Sequence, residues 1–471
     1  MTQTEKTMKE LKFNIPDPEY PGGKTPEGVL TSEEIQISVD VLRKAIQMGA
    51  DHCRITVSKS MMDLIATLNG EVDKVTHSLD RAMSIGLFVD GRFGAFSTNR
   101  LLPSEIEPFL AKAIDSVKML AEDPCRTLPS PDRTIKDPSL AQSLGNTDLE
   151  GMAAMTPEKR LDFALKVCGF GKWKDSPVEG VTVLSEEGEF SHSVADILLI
   201  DSDGTCGRQT DTSFDYGTEV TLLVGEGKVS AYSWCSSPVY SKFMEQNPFG
   251  CAEDAFRKAL DKAGAKIIPS GKYTMVVDRD CSSRLLTPVI NALSGSSVQQ
   301  RNSFLMDRLG EKVFSDNLTV FDCPRLKGQG GSRLFDSEGI VTFDESVIEN
   351  GVVKRYSVST YIANKTGMKP TVDDVTRMVL KPFQSEEKPS RYILVNGFNG
   401  GNCSPVTGDF SYGIEGFLVE DGKSTPVHGM LITGNMITLW NNLIIAEADS
   451  PDKSMHKVGT LTFKDVDFSG E

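Results

Sequence analysis

The sequence is poor in the residues that most often build a catalytic centre. Only five histidines occur in 471 residues: His52, His77, His192, His428 and His456. No two stand three to five residues apart, so the helix-borne histidine pair of a zinc hydrolase is missing. Each lone histidine reads as a surface or satisfied core residue. The nine cysteines (Cys53, Cys125, Cys168, Cys206, Cys235, Cys251, Cys281, Cys323, Cys403) form no C-x-x-C, and their number is odd. That excludes a regular disulfide framework and fits a reducing compartment, so the cytoplasm is the expected location. No apolar run approaches the roughly 20 residues that span a bilayer, and the first residues lack the apolar core of a secretory signal. No Lys/Arg run exceeds two residues, and the formal net charge is -16. Such a surface repels phosphate backbones, so neither nucleic acid nor membrane is an expected partner.

Residues 1–30 are polar and rich in Pro and Gly, and read as a loosely docked arm. Thr31-Ser32-Glu33-Glu34 forms a capping box that opens a helix, with Ile35, Val39, Leu42, Ala45 and Ile46 on one face and Gly49 at its end. From Cys53 the period changes from helical to alternating. Four short strands are predicted, CRITVSKS, MMDLIATLNG, EVDKVTHS and AMSIGLFVDG, with Asn69-Gly70 and Asp90-Gly91 as turns. A second amphipathic helix spans about 104–121. Residues 122–150, rich in Pro, Asp and Ser, read as a linker or long surface loop. Thr156-Pro157 opens a helix with Leu161, Ala164, Leu165 and Cys168 on one face. Strands resume to about 236, with turns at Asp203-Gly204 and Gly225–Gly227. This helix-then-strands order echoes 31–100 and suggests a duplicated unit.

A helix from Cys251, with Ala255, Phe256, Ala259 and Leu260 inward, leads into a strand at 272–278. The expected fold class is α+β: an arm (1–30), an N-terminal region of helices and antiparallel strands (31–240, divisible at the loop 122–150) and a mainly β C-terminal domain (241–471). The glycine motifs are weak. Gly328-Gln329-Gly330-Gly331 lacks the Gly-Lys-Ser/Thr ending of a phosphate loop. Gly397–Gly401 does not sit between a strand and a helix as a dinucleotide fingerprint would. Ser294-Gly295-Ser296-Ser297 is not a nucleophile elbow, and Asp201, Asp203 and Asp211 do not complete a calcium loop. Between Arg391 and Asp449, Gly408, Gly413 and Gly416 punctuate apolar and aromatic residues. This reads as a β-hairpin system in which backbone lies close to backbone.

The same stretch carries a family resemblance. VTGDFSYGIEGFLVEDGK (406–423), followed by ITGNM (432–436), resembles the C-terminal signature of the TldD/PmbA family, and within it the PmbA/TldE branch. The resemblance runs from about residue 30 to about residue 465. The family, also named modulator of DNA gyrase, pairs a zinc peptidase subunit, TldD, with a TldE subunit lacking the metal motif. The H-E-x-x-x-H of the TldD branch falls on Leu285–Ala292 here. Thr287, Pro288 and Ala292 stand at the positions of the first histidine, the glutamate and the second histidine. None of these can ligate zinc or serve as a general base.

The resemblance therefore implies a non-catalytic subunit of a cytoplasmic metallopeptidase complex acting on extended or unfolded peptides. It implies no cofactor in this chain and zinc only in a TldD-like partner. Self-pairing to a homodimer when the partner is absent is compatible with such pseudo-symmetric interfaces. A peptide would lie along an exposed strand edge, with contacts expected at Gly397, Asn399, Gly408 and Gly413. Two other classes stay open: a peptidase with a non-local site, which predicts activity of the chain alone, and a regulatory protein binding a target such as a topoisomerase.

Overall fold

The computed structural model describes residues 13–16, 20, 23–175, 177–384 and 389–470. Thr31 caps the first helix, α1 (Ser32–Gln47). Its side chain accepts from the Glu34 N–H, and the Glu34 carboxylate accepts from the Thr31 N–H. The meander β1 (His52–Leu68), β2 (Glu71–Val89), β3 (Arg92–Thr98) follows, and then α2 (Pro103–Lys118). Asn69-Gly70 and Asp90-Gly91 turn with positive φ at both residues, the geometry that a two-residue hairpin requires. After the short α3 (Leu149–Ala154) the plan recurs. It runs α4 (Pro157–Val167), α5 (Phe170–Asp175), β4 (Val181–Asp201), β5 (Cys206–Val224), β6 (Gly227–Ser237), α6 (Tyr240–Glu245) and α7 (Cys251–Asp261).

The two meanders join into one six-stranded sheet of order β3-β2-β1-β4-β5-β6. β1 and β4 run antiparallel at its centre, with Met61 opposite Val194. The strand order is symmetric about that pair, and the repeat suggested by the sequence is a pseudo-twofold of topology. One face is covered by helices. Ile35, Val39, Leu42 and Ile46 of α1 meet Ile55, Val57, Leu198 and Ile200, while Phe163, Ala164 and Val167 of α4 meet Ile65 and Phe190. Leu42 is fully buried there, and truncation to Ala would cost about 2–5 kcal/mol.

Several sequence expectations need correction. The four short strands after Cys53 are two, of 17 and 19 residues. β1 pairs both neighbours straight through the break read between Ser60 and Met61, and the polar residues on either side of it have partners. Lys59 donates to Glu34 (3.1 Å), and Asp63 pairs with His77 (2.8 Å). On α4 the inward face is Phe163, Ala164 and Val167, whereas Leu161 and Leu165 are exposed. The described part of 1–30 is docked, not loose. Phe13 and Ile15 pack on the α1–α2 core, and the Leu30 N–H donates to the buried Asp196 (3.0 Å). Residues 1–12, 17–19, 21 and 22 lie outside the described residues. Residues 122–148 are a strap across the other face of the sheet. Ile135 bonds both Gly339 and Cys206 through its backbone, and it packs with Leu144, Leu199, Leu334 and Phe335. Gly207 permits that contact, because a Cβ there would lie 2.4 Å from Ile135 Cγ2.

The sequence places the division of the chain near residue 240. In the structure α7 still packs on Val220, Leu222 and Ala231 of the N-terminal sheet, and a new architecture begins only at β7 (Gly271–Val277). There follow α8 (Ser283–Ala292), α9 (Gly295–Gln299), β8 (Val320–Asp322), β9 (Glu345–Glu349), β10 (Val352–Val353), α10 (Thr360–Thr366) and β11 (Met378–Leu380). The chain ends with β12 (Arg391–Cys403), β13 (Asp409–Glu420), β14 (Lys423–Asn435), α11 (Met436–Asn441), β15 (Leu443–Ala446) and β16 (Leu461–Gly470). β8 to β11 form a small four-stranded sheet. β14-β13-β12-β7-β16 closes into a barrel because β16 also pairs β14. β12 and β7 run parallel and the other barrel pairs antiparallel. The glycines of this region act by close approach, as the sequence implied. A Cβ on Gly416 would lie 1.9 Å from Leu394 O, and one on Gly413 2.3 Å from Asn399 O.

Candidate functional site: the cleft along strand β6

β6 is an edge of the N-terminal sheet, and its open side faces the C-terminal barrel. Its pairing with β5 starts at Gly227, beside a two-residue turn, so the odd-numbered residues exchange bonds with β5. Ser230, Tyr232, Trp234 and Ser236 direct their backbone groups outward. Side chains, not a further strand, meet these groups. Lys262 Nζ donates to Ser230 O (2.9 Å) and Lys453 Nζ to Trp234 O (3.0 Å). Gln246 satisfies both groups of Ser236, at 3.1 and 2.8 Å. Among the described residues, the backbone of Tyr232 is left open, with its side chain exposed. Lysines on an edge are the usual protection against stray pairing, and they can be moved aside by a partner strand.

Three cavities follow this edge. One of about 420 Å³ lies between Ser230–Tyr232 and Asn396–Asn399 of β12, crossed by the Lys262–Glu415 ion pair (2.7 Å). One of about 640 Å³ adjoins Trp234, Cys235, Cys251 and the acids Asp254, Asp278 and Asp280. The third, of about 790 Å³, lies where β6 ends, between α6 and Gly328–Gly331. The charges along the middle are paired. Lys258 meets Asp254 (2.8 Å) and Asp280 (3.6 Å). Burial pulls the Lys258 pKa down, and the hydrogen bond and charge of Asp254 with the charges of Asp280 and Asp278 outweigh it, so it stays raised. Burial, reinforced by Asp278 and Asp280, pushes the Cys281 thiol up to about 12, so it is no resting nucleophile. Cys235 and Cys251 lie with their sulfurs 3.4 Å apart, and all nine cysteines are free thiols.

A second cluster lies on the helix-covered face of the sheet. Asp63 accepts from His77 (2.8 Å) and lies 3.2 Å from Arg160 and 3.4 Å from His192 Nε2, beside a cavity of about 510 Å³. Burial, with the Arg160 charge, pushes His192 down to about 4, against the pull of Asp63, so it is neutral. The sequence reading treated these histidines singly. Counting back from the Asn69-Gly70 turn places His77 within one residue of Asp63, a signal that could have joined them.

Comparison with known proteins places this architecture. Residues 270–470 match the family described as PmbA/TldA metallopeptidase C-terminal domain. A crystal structure from Bacteroides thetaiotaomicron, described as a candidate modulator of DNA gyrase, is 36% identical with a TM-score of 0.86, covering 94% of this chain and 100% of that one. The chain belongs to the PmbA/TldD family. The metalloprotease PmbA of Escherichia coli O157:H7 is 24% identical over 430 residues, 90% of this chain and 93% of that protein. TldE from Thermococcus kodakarensis shares the fold, with a TM-score of 0.76 at 18% identity, covering 92% of this chain and 100% of that one.

For a PmbA/TldD chain the question is whether α8 can hold a metal. Its ten residues, SRLLTPVINA, include no His, Cys, Asp or Glu. Thr287 is exposed and donates to Ser283 O (3.1 Å), Pro288 offers no donor, and Ala292 is buried in the barrel core. The three do not converge on one pocket, and this donor set does not fit zinc whatever the register. Among the described residues no group of three or more His, Cys, Asp or Glu is arranged to hold a metal ion. Also among them, no helix is long and apolar enough to cross a membrane.

The residues expected to touch a peptide are partly brought together. Gly397 and Asn399 line the cleft opposite β6, and Gly413 pairs Asn399 directly behind it. Gly408 does not join them. It sits in the β12–β13 turn against the Phe304 ring, with φ +78°. β7 pairs β12 only over Ile393–Val395, so among the described residues Gly397 and Asn399 have a strand, β13, on one side alone. The longer edge facing this stretch is that of β6, which sequence reasoning did not single out.

Proposed function

We propose that this chain is the metal-free subunit of a two-subunit metallopeptidase of the PmbA/TldD type, and that it holds extended peptide segments along β6. The observation that carries this reading is the outward-facing backbone of Ser230, Tyr232 and Trp234, set against the β12 wall across a cleft. Main-chain pairing at such an edge is indifferent to most side chains and suits unfolded polypeptides of varied sequence. The two lysines that cap the edge are displaceable, whereas a further strand of the sheet would not be. Hydrolysis falls to a partner of the same family bearing H-E-x-x-x-H, because α8 here has no side chain that could polarise or activate water. The acidic surface opposes any role that needs contact with DNA.

Two measurements test this. Hydrogen exchange with an unstructured peptide in excess should slow the outward amides of Ser230, Tyr232 and Trp234; protection confined to other strands, or none, would refute the cleft. Mixing with a family metallopeptidase should give a stoichiometric complex whose activity on unfolded protein exceeds that of either chain. Zinc-dependent cleavage by this chain alone would refute the division of labour.

A further inference from the structure

Behind the Gly-rich wall of the cavity at the end of β6 lies an imbalance of charge. Arg377, just before β11, is 0% exposed, and its Nε and Nη1 have no partner among the described residues. No carboxylate lies within ion-pair distance of it among the described residues. Its Nη2 donates to Gly330 O, in the wall of the cavity. Burial lowers its pKa to about 10. Lys457 stands nearby, pushed down to about 8 by burial and by the Arg377 charge, with Nζ on the carbonyls of Pro451 and Asp452. A buried guanidinium without a counter-charge leaves the loop in front of it at positive potential.

That loop lines the cavity and carries donors for an anion. The N–H groups of Gln329, Gly330 and Gly331 make no hydrogen bond among the described residues, while Gly328 N–H and Ser332 N–H are used. Lys327 is exposed on the rim and has no ion-pair partner among the described residues. Of the two acids on the lining, Glu245 is held by Lys242 (2.9 Å), and Asp452 is the other. Successive free amides beside lysines form an oxyanion-binding concavity.

Position decides which oxyanion. The pairing edge of β6 stops at Trp234, because Gln246 already satisfies both groups of Ser236. A segment lying along the edge must end or turn there, beside Trp234 and Met455, into the cavity. We infer that the cavity between Gly328–Gly331 and α6 binds the C-terminal carboxylate of a peptide lying parallel to β6, with its last side chain against Trp234. This rests on the cleft reading above and narrows it to peptides presented by their C-terminal end.

The test compares one decapeptide ending in leucine, as free acid and as carboxamide, binding to the purified full chain by calorimetry. The free acid should bind at least about tenfold tighter, as a charge-assisted hydrogen-bond set implies. Lys327→Gln should remove most of that advantage; Lys327 is on the rim, so folding is not at stake. Equal binding of acid and amide would overturn the inference while leaving the cleft standing. Persistence of the full advantage in Lys327→Gln would also overturn it. Binding of neither peptide would remove the cleft reading and this inference together. If inorganic phosphate binds in a Lys327-dependent way while acid and amide bind alike, the site serves phosphorylated ligands and the carboxylate assignment is wrong.

Discussion

Asp196 on β4 and Arg208 on β5 meet diagonally inside the N-terminal sheet, with Nη2 2.7 Å from Oδ2 and at most 1% of either residue exposed. Asp196 also accepts from the Leu30 N–H and Thr210 Oγ1, each at 3.0 Å, and Arg208 donates to Leu30 O (3.4 Å). The pair therefore ties the segment before α1 to the middle of the sheet. Asp196→Ala would strand a buried guanidinium, and the expected loss is about 3–5 kcal/mol. Chemical unfolding should show it, together with faster proteolysis before Leu30. The double change Asp196→Leu with Arg208→Met should recover much of the loss. A single-mutant loss below about 1 kcal/mol would mean that the pair behaves like a surface one.

The strap over the opposite face is held by shape. Gly207 lets Ile135 and Phe335 reach the β5 backbone, so Gly207→Ala must push Ile135 away. Overpacking of this kind costs about 1–3 kcal/mol. The sharper readout is local: limited proteolysis should open first within 122–148. Unchanged cleavage there would show that the strap is anchored elsewhere, for instance by the Arg133 contact to Thr371 O (2.5 Å).

Local signals in the sequence carried through to the structure, and their range marks where legibility stopped. The capping box at Thr31–Glu34 and the turns at Asn69-Gly70 and Asp90-Gly91 depend on a few adjacent residues, and each formed as read. The breaks read between Ser60 and Met61 and at 79–81 failed because β1 and β2 pair each other straight through them. Lys59 and Arg81, beside or within those breaks, are met by Glu34 from the first helix, a contact that the local sequence does not show. Leu161 and Leu165 misled because Phe163 and Val167, one step round the helix, bury against Phe190 and its neighbours. The cleft was illegible for a related reason. Its walls come from residues near 230, 280, 328 and 397, and only the sheet order reveals that β6 is an edge.

His192 makes the acid side of the stability profile testable. Its folded pKa is pushed down to about 4 by burial, against an ordinary value of 6.5. Between those values the unfolded chain binds a proton that the folded chain refuses. The contribution of neutral His192 is therefore complete above about pH 6.5 and declines as pH falls toward 4, by on the order of 3 kcal/mol. Asp336 works in the opposite sense. Burial, with the charge of Asp373, raises its carboxyl to about 7, so its contribution weakens as pH rises from about 4 to 7. His192→Phe, which keeps the aromatic setting of Phe190 and Phe214, should leave the Asp336 trend uncovered, with unfolding midpoints falling as pH rises. If wild type and variant share one pH profile, His192 does not titrate in this way.

Tyr232 offers a way to separate the edge of β6 from its fold. The ladder to β5 uses Ala231 and Ser233, and the N–H of Tyr232 faces the cleft. Proline at an outward-facing edge position removes a donor that the native sheet does not use and places a ring where a partner strand would pair. Tyr232→Pro should thus leave the far-ultraviolet spectrum and thermal midpoint close to wild type. It should lower the affinity for an unstructured peptide by about tenfold or more, the equivalent of losing one or two main-chain bonds. Tyr232→Ala serves as the control, since it removes the exposed ring and keeps the N–H, and its affinity should stay within about threefold of wild type. If alanine and proline weaken binding equally, the ring and not the backbone makes the contact, and recognition along β6 would depend on side chains instead of accepting any extended sequence.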